Sequence, residues 1–161
     1  MTIIKYQKSL NLILFFSIFA LISAYFIQYI LGHQPCNLCL IERIPYFSAV
    51  IVILLFFYYK KFEKMCLVFL SLIFFLSTIV SFYHLGIEQG FIKESLVCDL
   101  GAGDKILNPE ELLKKLKIKT VSCKDVTFKI FGLSLATINM IISLIISIIT
   151  MKQFLDYEKN K

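Results

Sequence analysis

Long apolar runs broken by short polar clusters set the pattern of this chain. Leu10 to Leu31 is 22 residues without a charge, and Phe131 to Met151 is again charge-free. Met65 to Leu85 carries no formal charge when His84 is neutral. Ile44 to Tyr59 is shorter, at 16 residues, and stands between Arg43 and the Lys60–Lys61 pair. A helix needs about 20 predominantly apolar residues to cross a bilayer. In all four runs the apolar residues surround the helix instead of forming one stripe, as expected where lipid is the neighbour. The pattern predicts an all-α membrane protein, a bundle of four transmembrane helices at about 10–31, 44–59, 65–85 and 131–151. Loops of about 32–43 and 86–130 join them within a single membrane domain, 1–161. The first run, preceded by Lys5 and Lys8, exceeds the 7–15 residues of a signal-peptide core, and no clear small-residue cleavage site follows, so it reads as a retained span.

The long polar segment holds a short helix signal. Asn108 is a good N-cap, Pro109 suits the first helical position, and Glu110 and Glu111 favour the positive helix end. Leu112, Leu113 and Leu116 make an apolar face edged by Lys114, Lys115 and Lys117. This amphipathic helix reads equally as one lying on the membrane surface or as a cap on the bundle.

Four spans place both termini on one side. Lys5, Lys8, Lys60, Lys61, Lys64, Lys152, Lys159 and Lys161 then share a face, against Arg43 and eight Lys of the long loop on the other, 8 against 9. Charges near helix ends and near the first helix weigh most in the positive-inside rule. Lys5 and Lys8 against Arg43, with the Lys60–Lys64 turn, put both termini in the cytoplasm and both longer loops outside.

Composition agrees with the pattern: 58% of the residues are hydrophobic and 17% charged, with a mean hydropathy of +0.80. The net charge of +6 comes from lysines flanking the apolar runs, where they meet lipid headgroups. No basic soluble face is present to bind nucleic acid.

The chemistry lies in the cysteines. Of five, Cys36 and Cys39 form a C-x-x-C in the first outer loop, and Cys98 and Cys123 fall in the long loop. Cys66, alone near the cytoplasmic end of the third span, reads as a small apolar packing residue. A C-x-x-C can be a redox pair or half of a zinc site. The absence of a second close pair, with His33 and His84 the only histidines, argues against a metal. Inert disulfides remain open for an outer face, although a C-x-x-C closes too short a loop to gain much entropy. Arg43 follows Cys39 by four residues and shares its face if the stretch is helical, where a cation stabilises the reactive thiolate. Pro45 interrupts a continuous helix, or else sits in the first turn of the second span with Cys39 to Arg43 in a separate turn. Arg43 alone also reads as a snorkelling residue. His84 and Glu88, spaced i, i+4 at the outer end of the third span, are ionisable groups at membrane depth and hence functional candidates.

The run Cys36-Asn37-Leu38-Cys39-Leu40-Ile41-Glu42-Arg43 closely resembles the C-x-x-C-x-x-x-R signature of the DsbB family, the bacterial inner-membrane quinone-dependent disulfide oxidases. Tyr83 to Glu88 is similar to the family's segment after its third helix, and Ser122-Cys123 with Phe131-Gly132-Leu133-Ser134 to its entry into the fourth. The likeness spans essentially the whole chain. It implies a relay in the bacterial inner membrane. A periplasmic thioredoxin-fold oxidase of the DsbA type arrives reduced and attacks a Cys98–Cys123 disulfide, with Cys98 matching the position of the mixed disulfide. Electrons pass to Cys36–Cys39, and Cys39 delivers them to ubiquinone or menaquinone, and so to the respiratory chain. Arg43 matches the family's quinone-contacting arginine. His84 and Glu88 align with a segment lining the quinone site, Glu88 where relatives can have an amide. A vitamin K epoxide reductase-like protein would carry its loop pair before the C-x-x-C, the reverse of the order here. A scaffold with structural disulfides is the reading from another class, distinguished by disulfides that resist reduction.

Overall fold

The computed structural model describes residues 2–59, 63–93, 98, 122–124, 129–130 and 132–159. The amphipathic helix expected near Asn108 lies outside them. In chain order the elements are α1 (Thr2–Tyr29), α2 (Asn37–Ile41), α3 (Ile44–Tyr59), α4 (Glu63–Glu88), β1 (Lys129–Ile130), β2 (Leu133–Ser134) and α5 (Leu135–Lys159). Four stretches are long and apolar enough to cross a membrane: Gln7–Tyr29, Asn37–Tyr59, Lys64–Glu88 and Leu135–Lys159. The protein is a multi-pass, mostly helical membrane protein, with one short antiparallel pairing among the described residues.

The second span reaches bilayer length by joining two helices. Cys36 caps α2, with extended backbone angles and its sulfur accepting the Cys39 N–H at 3.2 Å. The chain then turns through Glu42 and Arg43, whose N–H groups bond back to the carbonyls of Leu38 and Leu40 at 2.9 and 3.2 Å. Pro45 falls in the first turn of α3, where the missing N–H costs nothing. The fourth span starts at Leu135, later than hydrophobicity alone predicts, because the residues before it are paired as a hairpin. Lys129 faces Ser134 and Ile130 faces Leu133, with Gly132 at φ +82° supplying the left-handed turn. Ser134 then caps α5, its Oγ accepting the Thr137 N–H at 3.2 Å.

Packing centres on α4 against α5; α3 packs on α1 and α4, while α1 meets α5 only lightly. A polar seam joins the main pair. Ser77 and Ser143 hydroxyls lie 3.0 Å apart, Asn139 Nδ2 donates to Ser81 Oγ at 2.7 Å, and Ser147 Oγ donates to the Ser71 carbonyl at 3.2 Å. In lipid the hydrophobic effect does not drive helices together, so small residues that permit close approach, and hydrogen bonds across the interface, take over. Between α3 and α4 the core is apolar, with Ala49, Ile53, Leu70 and Phe74 fully buried and the Tyr46 ring edge-on to Phe74 at 5.7 Å. Cys66 is buried in this core. Phe15, Phe19, Leu76, Phe82 and Ile148 point outward, onto what is lipid in a membrane.

One end of the bundle is polar and ionic. Lys64 pairs with Glu158, and Gln153 Nε2 donates to Ser9 Oγ at 2.6 Å. This end gathers the start of α1, the start of α4 and the end of α5. The cysteine pairs are at the other end.

Candidate functional site

The site grows from the break between α2 and α3. The cap geometry of α2 folds Cys36 and Cys39 together, with their sulfurs 2.7 Å apart as free thiols. Cys36 is buried and Cys39 half-buried. The Cys39 thiol hydrogen-bonded to the Cys36 sulfur is the largest influence on Cys36. It lowers the Cys36 pKa to about 5, against burial, and His84 acts in the same direction.

His84, fully buried near the C-terminal end of α4, reaches this pair from 48 positions away, with Nε2 3.6 Å from the Cys36 sulfur. Its Nδ1 lies 3.0 Å from Glu42 Oε1, and Glu88 Oε1 is 3.7 Å from Nε2. Glu42, His84 and Cys36 thus form a buried polar series in which a carboxylate fixes the imidazole and the imidazole faces the sulfur. Cys36, Cys39 and His84 bring three donor atoms within 4.8 Å of one another.

Cys98 and Cys123 form a disulfide, with α-carbons 5.8 Å apart, inside the range such bridges require. Both are buried in the apolar cluster that contains Cys36, Leu38 and Ile87. Asn37 Nδ2 donates to the Cys98 carbonyl at 3.5 Å, tying the loop pair to α2. All four paired cysteines therefore meet at one end of the bundle.

Beside them a cavity of about 340 Å³ opens between α1, the α2–α3 turn and α5. Its polar wall includes Gln28, Cys39, Glu42, Arg43, Tyr46 and Asn139, and much of the rest is apolar, including Phe16, Ala20 and Ile142. Arg43 Nη1 donates to Gln28 Oε1 at 2.6 Å, and the guanidinium sits 5.0 Å over the Tyr25 ring, a cation–π placement. The Tyr46 hydroxyl donates to Asn139 Oδ1. A second hollow of about 430 Å³, lined by Leu12, Phe15 and Ile145 among others, shares Phe16 and Ile142 with the first. The two adjoin at the light α1–α5 contact.

Of the residues singled out from sequence, Arg43 and Cys39 share the cavity. His84 and Glu88 do not line it; they stand behind it, against Cys36 and Glu42. Sequence reasoning missed Glu42, Gln28, Tyr46 and Asn139. The signal for Glu42 was in plain view, since an ionisable residue at the edge of an apolar run is a functional candidate by default. The other three are ordinary polar residues inside apolar runs and become recognisable only when three helices bring them together.

A four-helix membrane bundle with a C-x-x-C and a loop disulfide buried together at one end defines a membrane thiol–disulfide oxidoreductase. Comparison with known families agrees: the model for "Disulfide bond formation protein DsbB" matches residues 7–153, and the chain belongs to that family. An uncharacterised protein of Rickettsia prowazekii (strain Madrid E) is 30% identical over 142 residues, covering 85% of this chain and 81% of that one. Family and fold together make this a membrane oxidase of disulfide-bond formation.

Proposed function

We propose that the protein reoxidises a periplasmic thioredoxin-fold dithiol oxidase of the DsbA type and passes the electrons to a membrane quinone, ubiquinone or menaquinone. The observation that carries this reading is the position of Cys39: half-buried beside Cys36, and on the wall of a cavity that also holds Arg43.

The placement of the cysteines supports a relay. A thiolate of the partner attacks the Cys98–Cys123 disulfide, forming a mixed disulfide at Cys98 and releasing Cys123 as a thiolate. Cys123 shares the buried cluster with Cys36, so exchange onto an oxidised Cys36–Cys39 pair bonds Cys123 to Cys36 and releases Cys39 as a thiolate on the cavity wall. Exchange needs the attacking sulfur to reach one disulfide sulfur while the other departs, and a cluster containing both pairs meets that need. The second thiol of the partner resolves the mixed disulfide. Cys98 then displaces Cys36, so that the loop disulfide reforms and Cys36 and Cys39 hold the two electrons.

The cavity fits a quinone on its own features. It is apolar along its walls, carries the Arg43 guanidinium and the Gln28 and Asn139 amides at its polar end, and runs on into an apolar groove suited to an isoprenoid tail. A quinone there supplies a two-electron, two-proton acceptor. Arg43 holds a positive charge where an acceptor oxygen gains negative charge, and the Glu42–His84 pair provides a route for protons leaving the thiols.

On this reading the whole chain is one membrane domain in the bacterial inner membrane. Both termini are cytoplasmic, at the end bearing Lys64 and Glu158, and the cysteines are periplasmic. The deciding experiment measures quinone reduction by purified protein with a reduced DsbA-type donor. Turnover that requires the donor and is abolished by Cys39→Ser is the expected result. Full turnover in Cys39→Ser, or none in folded wild type with either quinone, overturns the proposal.

A further inference from the structure

His84 and the C-x-x-C are far apart in sequence, yet the fold gives them the arrangement of a metal centre. The donor atoms of Cys36, Cys39 and His84 lie within 4.8 Å of one another. Metal-ligating imidazoles usually have the other ring nitrogen held by a carboxylate, which fixes the tautomer. Here Glu42 Oε1 sits 3.0 Å from His84 Nδ1, leaving Nε2 turned toward the sulfurs. Glu88 adds an independent sign. Its side chain is 7% exposed, Oε1 lies 3.7 Å from His84 Nε2, and Oε2 is buried with no hydrogen-bond partner. A buried carboxylate oxygen without a partner is costly, and a cation beside His84 would satisfy it.

Geometry narrows the metal. In a tetrahedral zinc site, Zn–S bonds of about 2.3 Å and Zn–N bonds of about 2.05 Å put sulfur and nitrogen about 3.6 Å apart. Cys36 Sγ and His84 Nε2 are 3.6 Å apart. Two zinc-bound sulfurs stand about 3.8 Å apart, so the pair at 2.7 Å must open by about 1 Å; Cys39, half-buried on the cavity wall, has room to move. Two thiolates and an imidazole form a borderline-soft set that suits zinc over calcium or magnesium.

We propose that the reduced Cys36–Cys39 pair, with His84, is a zinc-binding site, with the Glu88 carboxylate beside it. Binding forms two S–Zn bonds to the thiolate forms of Cys36 and Cys39, sends to solvent whatever protons the ligands still carry, and changes no oxidation state. The disulfide form offers no thiolates, so the site exists only when the pair is reduced. Zinc on both sulfurs also withholds them from exchange, which makes the metal a reversible brake on the oxidase. Metal binding rests on Cys36, Cys39 and His84 and not on the identity of the electron acceptor, so equilibrium binding tests it whether or not the quinone reading holds.

The test titrates full-length protein in nanodiscs with Co²⁺ as a spectroscopic probe and then with Zn²⁺, under anaerobic conditions. Reduced wild type should bind one equivalent, with thiolate-to-cobalt charge-transfer bands and the intense visible bands of a tetrahedral site, both bleached by Zn²⁺. Cys36→Ser should abolish these bands, His84→Ala should weaken binding at least about 10-fold, and Cys123→Ser and Cys66→Ser should retain them. A readout on wild type alone guards against misfolded variants: Zn²⁺ should slow maleimide labelling of both Cys36 and Cys39. Equal binding by the oxidised protein, a cobalt spectrum without thiolate bands, or labelling indifferent to Zn²⁺ overturns the proposal.

Discussion

At the scale of single residues, Cys36 and Arg43 do different work although they sit seven positions apart. Cys36 ionises readily, at about 5 in place of 9.0, because the Cys39 hydrogen bond and His84 favour its thiolate over the opposing effect of burial. The shift is downward, so the reactive form is fully present at neutral pH and is lost only as pH falls through about 5. Alkylation of Cys36 in reduced protein, followed by peptide mass spectrometry across pH, should show that inflection, and His84→Ala should move it upward. Arg43→Ala should raise the apparent KM for quinone roughly 10-fold or more, the order of a charge-assisted hydrogen bond; an unchanged KM would mark Arg43 as a lipid-facing anchor only. Arg43 and the C-x-x-C were legible in sequence because their spacing is local. The contacts of His84 were not, since nothing in the linear order states that α4 returns to the start of α2.

At the scale of elements, helix ends decide where the chemistry sits. The break between α2 and α3 lets the C-x-x-C face the bundle while α3 spans the membrane. Hydrophobicity outlined the second span from Ile44 to Tyr59, the bounds of α3, but could not register α2, whose polar cap lies outside any apolar run. Elsewhere helices run past the apolar limit: α4 extends to Glu88 and α5 to Lys159, because helical hydrogen bonding does not stop where lipid does. Just beyond α4, Gly90 at φ +77° turns the chain, with the Gly90 and Ile92 N–H groups bonded back to Ile87 and Gly86 at 3.0 Å. Gly90→Ala should therefore cost about 1 kcal/mol. Asn139→Leu, which severs the bonds to Tyr46 and Ser81, should cost about 1–2 kcal/mol. Reversible unfolding in mixed micelles measures both.

At the scale of the whole molecule, the uneven packing of the four helices matters most. α4 and α5 are bound along a polar seam, whereas α1 and α5 touch lightly and leave the two hollows that share Phe16 and Ile142. Ile142→Trp should obstruct that passage and raise the KM for a long-tailed quinone more than for a tail-less analogue, in steady-state assays of the purified protein. Cys98→Ser should abolish oxidation of the partner while leaving quinone binding intact, because Cys98 is not on the cavity wall. The number of spans was readable from apolar length alone, but the groove was not, since lipid-facing and groove-lining residues are the same Phe, Ile and Leu.

The lateness of α5 in the chain has a consequence for biogenesis. Cys36, Glu42 and His84 all belong to the first three spans, so their cluster can assemble while the ribosome is still translating. Asn139 and Ile142, part of the cavity wall, belong to the final span. On the proposed quinone reading, the C-x-x-C is translated before the last wall of its acceptor chamber, and catalytic competence arrives with the last helix.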